Sequence, residues 1–124
     1  MANVYEDTYL TQGVTALSAL GNRIGLFTSA GVRVGTVYAD TTWGTATVTG
    51  TAPARKGVRT GSKVTINVPA STVATGTVIS HYGIFNGTTL LRKVDLKPLT
   101  ATVSDGSQAF DIDVTPTMEF DPTE

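Results

Sequence analysis

Gly76-Thr-Val-Ile-Ser-His-Tyr-Gly-Ile-Phe-Asn-Gly-Thr-Thr-Leu-Leu91 is the stretch on which the fold of this chain turns. Two β-prone runs flank Asn86-Gly87, the strongest short-range signal for a β-hairpin. Val78, Tyr82 and Ile84 fall on one face of the first run, and Ile79, His81 and Phe85 on the other. That pattern predicts a central strand covered on both sides, paired with a second strand through Leu90, Leu91 and Val94 to Leu96. A turn centred on Asn86-Gly87 needs positive φ at Asn86, so Asn86→Pro is expected to disturb folding.

The composition agrees with that hairpin. In 124 residues there are 23 Thr, 14 Val and 13 Gly, while charged residues make up 15%. β-Branched side chains suit a pleated, half-buried surface, and glycines supply turns between short strands. The predicted class is all-β: a compact β-sandwich, jelly-roll or immunoglobulin-like, of about 7–8 short strands. The length predicts one domain over 1–124 with an adequate core. With a net charge of −1, no global field favours nucleic acid or a membrane surface. The chain has no cysteine, hence no disulfide and no thiolate metal site. Its first residues lack a basic-then-apolar signal pattern, and no apolar run reaches about 20 residues, so synthesis in the cytoplasm is expected.

One helix is predicted, over about residues 7–20. Leu10, Val14, Leu17 and Leu20 share a face, Asp7 can cap the start, and Gly21 suits a left-handed end. Strands follow at Arg23–Ser29 and Val32–Val37. Trp43 anchors a threonine-rich run, and Ala52–Gly61, with no periodicity, predicts a long exposed loop. Lys63–Val68 and Gln108–Thr115 alternate cleanly, and Met118 and Phe120 allow a last strand before an acidic tail, about 116–124 overall.

Catalytic chemistry is hard to assemble from these residues. His81 is the sole histidine, and Ser80, its neighbour in a regular strand, should point to the opposite face. A packing histidine is the simpler role. Asp111 and Asp113 share a strand face, yet a strand does not offer the many-oxygen loop that calcium requires. Neither a P-loop nor a zinc ligand set is present, and no cofactor is expected. A carbohydrate-binding role would rest on Trp43.

Charge placement is more informative. Arg55, Lys56, Arg59 and Lys63 cluster in and after the predicted loop, with no acid between Asp40 and Asp95. Beyond Lys97 every charge is negative, including Asp105, Asp111, Asp113, Glu119, Asp121 and Glu124. Such a dipolar chain suits docking on an oppositely charged partner, including a copy of itself. The eight candidate contact residues are Arg55, Lys56, Arg59, Lys63, Asp111, Asp113, Glu119 and Asp121, with segments 1–6 and 116–124 between subunits.

Thr41-Thr-Trp-Gly-Thr-Ala46, Val68-Pro-Ala70, Ser80-His-Tyr-Gly-Ile-Phe-Asn-Gly87 and Leu90-Leu91 together resemble small virion proteins of tailed bacteriophages, both capsid decoration and tail-fibre-like proteins. The resemblance spans roughly Ile24–Thr115 and consists of turns and core anchors. It implies a non-enzymatic structural protein of the virion, made in the host cytoplasm and present in many copies. The expected partner is the major capsid protein, or neighbouring tail proteins, with homo-oligomer contacts and with neither nucleic acid nor membrane bound. A capsid decoration (cement) protein is the leading expectation. The alternative is a tail component: tail-fibre-like, tail-tip or tail-tube.

Overall fold

A computed structural model describes residues 5–51, 54–96 and 100–122. The chain is all-β with one N-terminal helix, α1 (Asp7–Ser18). Among the described residues there are ten strands rather than seven or eight, because some pairings last only two or three residues. All pairings are antiparallel.

The quoted stretch is the centre of the main sheet. β1 (Arg23–Thr28) pairs with one edge of β6 (Val78–Asn86); β7 (Thr89–Asp95) and the short β8 (Ala101–Thr102) share the other. β2 (Ala39–Asp40) extends the sheet beyond β1. A second sheet has β4 (Lys56–Thr60) between β3 (Thr47–Thr49) and β10 (Thr117–Phe120). A ribbon of β5 (Val64–Val68) and β9 (Phe110–Val114) is the third layer. Leu26, Ile66, Ile79, Tyr82, Ile84 and Val114 meet in one buried cluster that these layers enclose.

The hairpin departs from its predicted form in two places. Asn86 pairs with Thr89, so the two turn residues are Gly87 and Thr88. Gly87 alone of that pair has positive φ, +60°, as a turn with glycine first requires. The expected strain of proline at Asn86 therefore belongs to Gly87. Further down, Phe27 faces His81 but Thr28 faces Ile79, which leaves Ser80 as an extra residue in a β-bulge. The bulge returns Ile79 to the core side with Tyr82 and Ile84, instead of leaving it on the His81 face.

Ala52–Gly61 is the largest revision. Residues 52 and 53 lie outside the described set, but Lys56–Thr60 forms the middle strand of the second sheet, not a loop. Its periodicity is hidden because Gly57 is its buried position, lying directly beneath α1. Leu10 and Val14 of α1 are fully buried there. Leu20 is 50% exposed because the helix ends at Ser18, before the apolar stripe could carry it inward. Glu6, not Asp7, is the N-cap, and Gly21 is not left-handed. A Cβ on Gly21 would lie 2.2 Å from the Phe85 carbonyl oxygen, so close approach explains that glycine.

Val32–Val37 is not a strand. Positive φ at Gly31 and Gly35 curls it into a lobe whose only ladder contact is the bridge from Arg33 to Phe27. The predicted tail is also strand in part. Thr117–Phe120 is β10, and Met118 is buried. Residues 123 and 124 lie outside the described set. The clean alternation of β5 and β9 is as expected, with Val64, Ile66 and Val68 buried and Thr65 and Asn67 exposed.

Tyr82 joins the main sheet to the second one. Its ring is buried, and its hydroxyl oxygen accepts the Thr117 backbone N–H at 2.9 Å. Tyr82→Phe leaves that amide without its acceptor, and a loss of about 1–2 kcal/mol is expected in urea unfolding. A stability equal to wild type would show that the bond contributes nothing.

Candidate functional site

The four expected docking cations are spread along β4 and its flanks, and they are already engaged. Arg55 donates to the Asp7 carboxylate and to the Tyr5 carbonyl. Lys56 donates to Glu119 Oε2 at 3.0 Å. Arg59 donates to Gly44 O at 2.7 Å, Ser18 Oγ at 2.9 Å and Trp43 O at 3.3 Å. These bonds tie α1, the Trp43 segment and β10 to β4. Lys63 lies apart, 3.8 Å from Asp113 on the ribbon. The structure does not bring the four together as a free basic patch.

The expected acids divide as well. Glu119 sits between Lys56 and Arg92, the latter at 3.6 Å, and so closes the side of the core. Asp111 and Asp113 stand on the outer face of the β5–β9 ribbon. Asn67 donates to Asp111 at 2.9 Å and Thr65 to Asp113 at 2.6 Å. Asp121 is exposed beyond β10. Asp105 turns the chain before β9. Its carboxylate accepts the Ser107 hydroxyl and then the Ser107 backbone N–H, which lowers its pKa.

His81 has more company than the strand pattern predicts. The bulge turns Ser80 toward it, so Ser80 Oγ lies 2.7 Å from Nδ1, while Asp95 Oδ1 lies 2.7 Å from Nε2. The three groups form a continuous hydrogen-bonded chain from β6 to β7. An acyl-transfer site would also need donors aimed at a developing oxyanion. Ser80 instead continues the sheet, its carbonyl accepting the Leu96 N–H at 2.9 Å. The His81–Asp95 contact is largely solvated, so His81→Gln is expected to cost under about 1 kcal/mol in thermal unfolding. A larger loss would make this contact a main tie of β7.

Trp43 is half-buried and donates its indole N–H to Gly21 O at 3.1 Å. The depression beside it, about 370 Å³, is lined by Ser18, Asn22, Thr42 and Arg59 among others. The indole donor is spent on the backbone, so a sugar there would gain no hydrogen bond from it.

The outer face of the main sheet holds an arrangement that the charge pattern along the chain does not show. Gly25 of β1 lies directly opposite Gly83 of β6. Over that gap Phe27 and Phe85 stack, with centroids 6.0 Å apart and planes 6° from parallel. The Arg33 guanidinium lies 4.3 Å from the Phe85 centroid, and Lys93 Nζ 4.4 Å from that of Phe27. Arg23 covers Tyr38 at 3.8 Å on the same face. Two glycines facing one another, each near a phenylalanine, are the sequence signal for this layer, but only strand register reveals the pairing.

The fold and these sites define an all-β chain with ring-seated cations over its main sheet and a pair of carboxylates over its ribbon. It matches no known family model, no curated protein and no solved structure.

Proposed function

We propose that this chain is a non-enzymatic structural protein of a tailed bacteriophage virion, most simply a capsid decoration protein bound to the outer capsid surface. The observation that carries this reading is a pair of ring-seated cations on one outer face and a pair of carboxylates on another. Arg33 and Lys93 lie over the main sheet, where Arg23 is paired with Asp40, and Asp111 and Asp113 lie over the ribbon beyond the core, with Lys63 3.8 Å from Asp113. A small subunit with complementary faces can sit between neighbours in a repeating shell, where steering and register come from charge. The resemblance of the Trp43, Pro69 and hairpin phrases to phage virion proteins points the same way.

Stabilisation would follow from linkage, since a ligand that binds only the assembled shell favours it. Many copies multiply the effect. Shells stripped of the chain are expected to disrupt at a higher temperature when it is added back, in a saturable manner. An unchanged disruption temperature, with the chain left in the supernatant, would overturn the cement role.

A tail component is the second reading. The β6–β7 hairpin tip, residues 86–91, is exposed throughout and offers the kind of projecting arm that a tail-tube ring uses for closure.

A further inference from the structure

Most cations of this chain have found an acceptor within it. Arg23, Arg55, Lys56, Lys63 and Arg92 each meet a carboxylate, and Arg59 donates to two carbonyls and a hydroxyl. Among the described residues, Arg33 and Lys93 stand apart. They rest on the Phe27–Phe85 pair and meet no carboxylate. Arg33 Nε is buried with no hydrogen-bond partner. A guanidinium stacked on a ring uses its face and keeps its edge donors for a carboxylate. That buried Nε is out of reach of an incoming anion, which would meet the terminal guanidinium nitrogens instead.

We infer that the outer face of β1, β6 and β7 docks the β5–β9 ribbon of a second copy of this chain. Arg33 and Lys93 meet the partner's Asp111 and Asp113. The spacing fits: alternate residues on a strand are roughly 7 Å apart, and the two rings that seat the cations have centroids 6.0 Å apart. In a two-fold contact of this face with itself, Arg33 and Lys93 would meet their own copies or Asp40 and Asp95, which Arg23 and His81 already engage. The two faces point away from one core, so the contact is head-to-tail and repeats, closing into a ring or growing as an array.

This assignment rests on the assembly reading above and gives that reading a surface. The test is sedimentation velocity of the full chain over a concentration series, at low and at high salt. Wild type is expected to self-associate at low salt and to weaken as salt screens the contact. Arg33→Glu and Asp111→Lys are each expected to weaken association by about tenfold or more. Asp111 is exposed on a strand edge, so its variant keeps the test decisive if Arg33→Glu disturbs the sheet. An equimolar mixture of the two variants is expected to regain association, since native and charge-swapped contacts alternate along it, and the double variant regains it through the charge-swapped contact alone. A wild type that stays monomeric up to about millimolar concentration, or a charge variant that associates as wild type does, overturns the surface. The same variants added to stripped shells separate the two claims. A monomeric chain that still binds shells removes this surface and leaves the virion role. An associating chain that ignores shells does the reverse.

Discussion

Gly57→Ala is expected to destabilise the chain by about 3 kcal/mol, lowering Tm by on the order of 10 °C. The added Cβ would stand 2.2 Å from the Leu10 carbonyl oxygen and 3.2 Å from Val14 Cγ1. The first of these is helix backbone, which no rotamer change can move aside. Relief requires α1 to lift from β4, and lifting exposes Leu10 and Val14, both now at 0%. Gly76→Ala is the control. Nothing lies within 4 Å of its Cβ, yet its φ of +88° penalises any side chain by about 1–2 kcal/mol. Thermal unfolding of both variants should place Gly57→Ala well below Gly76→Ala. The opposite order would mean that the helix is not seated on β4.

Ile79→Ala is the second large effect, about 3 kcal/mol in urea unfolding. Ile79 is at 0% exposure because the Ser80 bulge turns it inward beside Tyr82 and Ile84. Without the bulge it would share the outer face with His81 and Phe85, where truncation leaves a smaller void. A loss comparable to that of Ile84→Ala is therefore expected. A loss under about 1 kcal/mol would place Ile79 on the other face and remove the reason for the Ser80–His81 contact.

The sequence showed its regular parts and hid its irregular ones. The β5 and β9 alternation is legible because one face of each strand is buried and the other solvated. The hairpin is legible from Asn86-Gly87, although its turn begins one residue later. β4 escapes a period-2 pattern because its inward position under the helix is a glycine, and its charged neighbours bond across to α1, Trp43 and β10. The cations clustered in sequence thus look available while being internal ties. The pair that, among the described residues, meets no carboxylate, Arg33 and Lys93, is separated by 60 positions and becomes a pair only through strand register and the Arg33–Phe27 bridge. The Ser80–His81–Asp95 chain was invisible for a related reason, since one inserted residue reverses the parity on which face assignments depend.

The proposed role makes the chain a component of a tailed phage particle. Gold-labelled antibody imaging of tailed particles, purified from the host that produces this chain, tests it most directly. The expected result is label on the head at regular spacing. Particles without label, with the chain recovered only in the soluble fraction, would contradict it.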